Sequence, residues 1–284
     1  MTAWRALLRD PRALAAFLVL GGLSLAALLA PLVAPADPLA QNDILRTRFL
    51  APLAEGPDHV TRWLGTDRLG RDLFSRLLYG ARISLLVGAL AMAVSLALGA
   101  AVGFTAAAVG GVVDRALMAV TDAALMFPRL VLLLVLVALS RPSLALVVLV
   151  LGFTGWMGIA RLARAEARAI LARPYVDAAH ALGVSRFRLM LRHVVPNALT
   201  PLLVSTALGV GNAITLEAGL SFLGLGVPAP APSWGNLIAS GRDALVNAPW
   251  IATFPGLALV AAVVACNLLA DGLRDALDPQ SRGG

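Results

Sequence analysis

Six apolar runs punctuate this chain, at residues 13–33, 83–106, 115–139, 143–163, 199–220 and 249–269. Each reaches the roughly 20 residues that a helix needs to cross a hydrocarbon core. No alternating strand pattern accompanies them, and in lipid a helix satisfies its own backbone. Pro128 falls inside the third run and is expected to kink it. The predicted fold is therefore an all-α membrane protein with six transmembrane helices. Two longer segments, 37–82, mixed in charge with Pro38, Pro52 and Pro57, and 224–248, rich in Pro and Gly, read as loops with short helical pieces.

The segment 175–197, YVDAAHALGVSRFRLMLRHVVPN, lies between the fourth and fifth runs and is the most patterned polar stretch. Arg173-Pro174 ends the preceding helix, because the residue before proline avoids the helical region. Pro174 can open a new helix, since its missing N–H costs nothing there. Asp177 falls in the first turn, where the dipole favours a carboxylate. Ala178, Ala179, Ala181 and Leu182 propagate the helix, and Gly183 stands at a natural C-cap. A second helix is expected from Ser185 as N-cap. Phe187, Met190, Leu191, Val194 and Val195 form its apolar stripe, and Pro196 marks a bend into the fifth span. Read from these residues alone, the first short helix is either a rigid projection that fits a groove on another protein or an ordinary loop helix.

Arginine placement orients the spans. All 23 basic residues are Arg, and the chain contains no Lys. With a cytoplasmic N-terminus, 13 arginines fall on inside segments and 9 on outside ones, seven of those nine in one long loop. Long loops weigh less, so both termini and residues 175–197 are expected in the cytoplasm.

Composition agrees with the spans. The chain is 59% hydrophobic and 14% charged, against about 25% charged in soluble domains. The net charge of +7 does not indicate nucleic-acid binding, because most arginines flank apolar runs. The first run is longer than a signal-peptide core, and Pro31 and Pro35 crowd the place where a cleavage site would sit, so a retained span is expected. The one cysteine, Cys266, reads as packing. His59, His180 and His193 are scattered and form no ligand set.

Asp177-Ala178-Ala179, then Gly183, then Pro196 resembles the "EAA" loop of ABC importer permeases. Asp177 stands where that family has Glu, His193 where it has Ile, and Val195 where it has Leu. Three further stretches are similar to "C"-type permease subunits of the dipeptide, oligopeptide and nickel group: LGTDRLGRDLFSRLLYGARISL at 64–85, SFLGLGVPAPAPSWGNLI at 221–238 and DGLRDALDP at 271–279. The likeness implies a permease core over 64–284 with its coupling loop at 161–197, preceded by an N-terminal tail and first span over 1–63.

By this resemblance, Tyr175, Asp177, Ala178, Ala179, Gly183 and Pro196 would couple the chain to a cytoplasmic ATPase. The implied assembly holds a homologous B-type permease, two ATPases and an extracytoplasmic solute-binding protein, in the inner membrane of a bacterium. No phosphate-binding loop G-x-x-x-x-G-K-[ST] occurs, so ATP and Mg would be bound by the ATPases and not by this chain. The implied cargo is a di- or oligopeptide, with nickel or another small solute as the alternative. A secondary transporter working alone would show inverted repeats and broken helices, and a membrane enzyme would show converging acids or histidines. The first pattern is not clear in the sequence, and the second is not evident.

Glu217, Ser221 and Asp122 are the candidate pathway or gate residues. An ionisable residue within a span is a functional candidate by default. The plainer expectation for Glu217 is an interfacial residue that caps a helix or pairs with an arginine. For Asp122 and Arg115 it is pairing with neighbouring subunits or headgroups. Asp67, Arg71 and Asp72 are expected either to order a lateral helix or to touch a binding protein. Trp234 and Trp250 read as interfacial anchors and Trp156 as packing.

Overall fold

A computed structural model describes residues 10–41, 43–141 and 143–277, without the side chains of Asp177 and His180. Five helices among the described residues are long and apolar enough to cross a membrane, and six if one bent pair counts as a single span. The chain opens with α1 (Pro11–Leu28), capped by the Asp10 side chain, and the short α2 (Ala30–Val33). A small helix α3 (Ile44–Thr47) and a two-stranded antiparallel hairpin, β1 (Ala54–Glu55) with β2 (Thr61–Arg62), follow.

The central element is α4 (Leu73–Val109), 37 residues and therefore about 55 Å long. It begins ten residues before the predicted second span. Asp72 is the reason: its carboxylate accepts from the Ser75 backbone N–H and from Ser75 Oγ, both at 2.7 Å, and starts the helix early.

The third predicted span is two helices, α5 (Gly111–Leu125) and α6 (Arg129–Ala138), set 83° apart. The expected kink is a full break. Pro128 removes a backbone donor and drives Phe127 out of the helical region. The fourth span comprises α7 (Leu144–Phe153) and α8 (Trp156–Leu171), the latter running eight residues past the predicted end.

Next come α9 (Pro174–Ala181), α10 (Arg186–Leu189) and a π-turn at Met190–Val194 that leads into α11 (Val195–Phe222). The expected bend at Pro196 is absent, and the helix continues through it. Pro196 offers no N–H, and its ring would crowd the carbonyl four residues back. The wider turn, in which Val195 N–H reaches Met190 C=O, accommodates it. The short helix α12 (Trp234–Gly241) and the long α13 (Trp250–Leu277) complete the chain.

Packing is organised by glycines on α4. A Cβ at Gly99 would sit 2.6 Å from the Trp156 carbonyl oxygen, and one at Gly103 would lie 2.7 Å from Ala163 Cβ. Gly88 makes a similar approach to Ile214 on α11. Small residues at these three points let α8 and α11 lie directly against the α4 backbone, as helices in lipid commonly pack. A cluster including Val87, Ala91, Leu133, Val147, Leu151, Ile159 and Leu202 fills the space among α4, α6, α7, α8 and α11.

Candidate functional site

The segment from Pro174 to Asn197 folds much as its residues dictate. Pro174 opens α9 one residue after Arg173, and Gly183 ends it at φ +82°, a conformation that favours glycine. Val184 N–H donates to Ala179 C=O at 3.1 Å across the turn. Ser185 Oγ then caps α10 by accepting from Arg188 N–H.

Only one side of α9 is tied down. Val176 is buried, whereas Tyr175, Ala178, Leu182 and Gly183 are exposed, Leu182 to 85%. Ala179 is half-buried and Pro196 exposed. The Tyr175 ring packs against the His193 ring with centroids 6.4 Å apart. His193, which replaces an apolar residue of the EAA pattern, thereby joins α9 to the π-turn that opens α11. Met190 and Val194 from the predicted stripe are buried with Ala107, Ala167, Ile170 and Ala198, while Phe187 and Leu191 remain exposed.

The helices above α9 are locked by a charge cluster that the sequence reading did not single out. Asp114, in the first turn of α5 and 2% exposed, receives two N–H groups of Arg164, one at 2.7 Å, and one from Arg168 at 2.5 Å. A carboxylate held by a fork of this kind is strongly oriented. Its position at a helix N-terminus adds to its stability. The signal was present as arginines at 164 and 168, one turn apart. Their acid lies 50 residues away, beyond the reach of local pattern.

Asp122, by contrast, is exposed and lies 3.7 Å from Arg161 of the same chain, so its ion-pair partner is internal. Arg161, Arg164 and Arg168 thus share one side of α8 and face α5.

Glu217 and Ser221 sit at the opposite end of α11. Residues 195 and 217 are 22 apart in one helix, about 33 Å. Glu217 is completely buried. Its Oε1 accepts from Ser221 Oγ at 2.7 Å and Ser233 Oγ at 2.9 Å, and its Oε2 from Ser84 Oγ at 3.3 Å. These partners are hydroxyls, and among the described residues no arginine pairs with it. The expectation of an interfacial carboxylate paired with an arginine is overturned. The capping part survives in altered form. Ser233 caps α12 and Ser84 Oγ accepts from Trp234 N–H at 3.1 Å, so Glu217 stitches α12 onto α4 and α11. Trp234 is likewise fully buried, not interfacial, and its indole N–H reaches Leu77 C=O at 3.2 Å. Trp250 is half-buried and donates to Thr66 C=O.

Asp67, Arg71, Asp72 and Arg76 are buried beside the start of α4, with Arg71 2.7 Å from Asp67. They order that helix from within. The candidates therefore form two separate sets, an α9 end and a buried carboxylate end, with Asp122 apart from both.

Residues 93–283 match the model of the binding-protein-dependent transport system inner membrane component family. The chain belongs to this family. A second model, the N-terminal TM domain of oligopeptide transport permease C, matches residues 1–52 of the permease. It is 39% identical over 278 residues to the Pseudomonas aeruginosa (strain UCBPP-PA14) protein "Di/tripeptide transport system permease protein DppC", covering 98% of this chain and 91% of that one. It is 46% identical over 256 residues to the "Dipeptide transport system permease protein DppC" of Escherichia coli (strain K12), with 89% and 84% covered. Its fold is similar to a chain of the methionine ABC transporter MetNI in an inward-facing conformation. The TM-score is 0.59 at 17% identity, over 72% of this chain and 97% of that one.

Proposed function

We propose that this permease is a membrane-spanning subunit of an ATP-driven importer of di- and oligopeptides. The observation that carries this reading is α9, a two-turn helix with small, exposed residues at the end of two long helices. Its exposed face, Tyr175, Ala178 and Gly183 with the neighbouring Asp177 and Ala179, is the surface offered to a cytoplasmic ATPase. Val176 forms its buried side, and the Tyr175 ring packs against His193 in the π-turn that opens α11. The peptide-transport names of the P. aeruginosa and E. coli relatives support the cargo class.

In this mechanism two ATPases bind ATP and Mg and close on each other. Each closure displaces a helix of the α9 type, one from this chain and one from a homologous B-type permease. Because α8 and α5 are clamped through Asp114, the displacement passes into the spans as movement of whole helices and not as local bending. The π-turn at 190–194 and Pro196 carry it into α11, which reaches the Glu217 and Ser221 cluster. A solute-binding protein delivers the peptide to that far face. Both termini and α9 lie in the cytoplasm.

A cross-link tests the contact. Cys266 is buried, so a Cys266→Ser background leaves a cysteine introduced by Ala178→Cys as the sole thiol of the chain. In the assembled complex this thiol is expected to cross-link to the ATPase and to be shielded from a bulky maleimide. Full maleimide labelling with no ATPase cross-link would contradict the assignment.

A further inference from the structure

At the α9 end of the bundle, a groove of about 550 Å³ opens between α8, α11 and α13. Leu162 and Glu166 line it from α8, Thr200, Val204 and Ser205 from α11, and Arg274 from α13. Its volume is that of a small-ligand site, for which about 300–1,000 Å³ is typical.

The two charges are arranged unusually. Arg161, Arg164 and Arg168 of α8 face α5, where Asp122 pairs with the first and Asp114 with the other two. Glu166 lies one turn beyond Leu162 on the other side of the helix, facing the groove. Neither the Glu166 nor the Arg274 side chain has an ion pair or hydrogen bond among the described residues, although both line the same groove. Two opposite charges beside apolar walls attract, but the separate helices hold these beyond pairing distance. A ligand carrying a cation at one end and an anion at the other would satisfy both. A simple anion or cation would satisfy only one. An extended dipeptide separates its ammonium from its carboxylate by about 7 Å. Thr200 and Ser205 line the same groove and bring hydroxyls suited to an amide.

We propose that this groove is a subsite for a zwitterionic short peptide, with Glu166 receiving the ammonium and Arg274 the carboxylate. The proposal rests on the peptide-import reading above and places a solute contact near the coupling helix.

The test is equilibrium binding of labelled dialanine to the complete permease–ATPase complex in nanodiscs, with no binding protein added. E166Q and R274Q are each expected to weaken binding by at least about fivefold, the loss of one charge-assisted contact. The double variant E166R/R274E is expected to recover affinity, because a zwitterion can bind in the reverse orientation. N-acetyl-dialanine should bind the wild type weakly and be indifferent to E166Q. Unchanged affinity in both single variants overturns the subsite, as does a double variant no better than the singles. Lack of saturable binding to the wild type also overturns it if the full transporter still imports dialanine with ATP, and the import reading then stands. Absence of dipeptide import by the full transporter removes the import reading and the subsite together.

Discussion

Ser84 and Glu217 are 133 residues apart in sequence, yet Ser84 Oγ donates to Glu217 Oε2 at 3.3 Å in a site closed to solvent. Through this contact, with Ser221 and Ser233, one carboxylate holds three helices. Glu217→Ala leaves three hydroxyls without their acceptor. A loss of about 1–3 kcal/mol is expected, seen as a lower midpoint in detergent thermal denaturation. Glu217→Gln retains an acceptor oxygen and should lose clearly less. Equal stability of the two variants would show that hydrogen bonding is not what the carboxylate contributes.

Gly103 admits the α8 backbone, and a Cβ there would crowd the Ala160 carbonyl. Gly103→Val should force α4 and α8 apart at a cost of about 1–3 kcal/mol. Gly158 on α8, where a Cβ would meet nothing within 4 Å, is the control on the facing helix. Gly158→Ala should not lower the melting midpoint, since alanine favours the helix.

Asp114→Asn removes the charge between Arg164 and Arg168 while keeping the shape. Arg164 and Arg168 side chains are 28% and 50% exposed, so water compensates part of the loss. About 1 kcal/mol of stability is expected to go. In the mechanism above, the larger effect falls on coupling: more ATP hydrolysed per peptide imported. A stability loss with an unaltered ratio would make the clamp purely structural.

Gly183→Pro places a residue locked near φ −65° where the backbone holds +82°. Membrane insertion and expression should be retained, because the spans are untouched. Peptide uptake should fall well below wild type while ATP hydrolysis continues. Normal uptake would remove the coupling role from this turn.

Span positions and the coupling segment were readable because their signals are local: apolar length, Pro174, Gly183 and Ser185. The early start of α4 was missed, since Asp72 acts as a cap within a stretch that is otherwise polar. The break at Pro128 was read as a kink, since proline's effect on direction depends on what packs beside it. The Glu217 and Asp114 clusters rest on partners 133 and 50 residues distant, which no periodicity reports. Trp234 was misplaced for the same reason: its burial depends on Ser84 and Leu77 of another helix.

In the mechanism above, this permease moves peptides only when driven by ATPases acting through α9. Uptake of labelled dialanine into proteoliposomes checks this, using the full complex with its binding protein. Accumulation is expected with ATP and Mg, and none with a non-hydrolysable analogue or when the ATPases are omitted. Accumulation driven by an ion or solute gradient in their absence would contradict it.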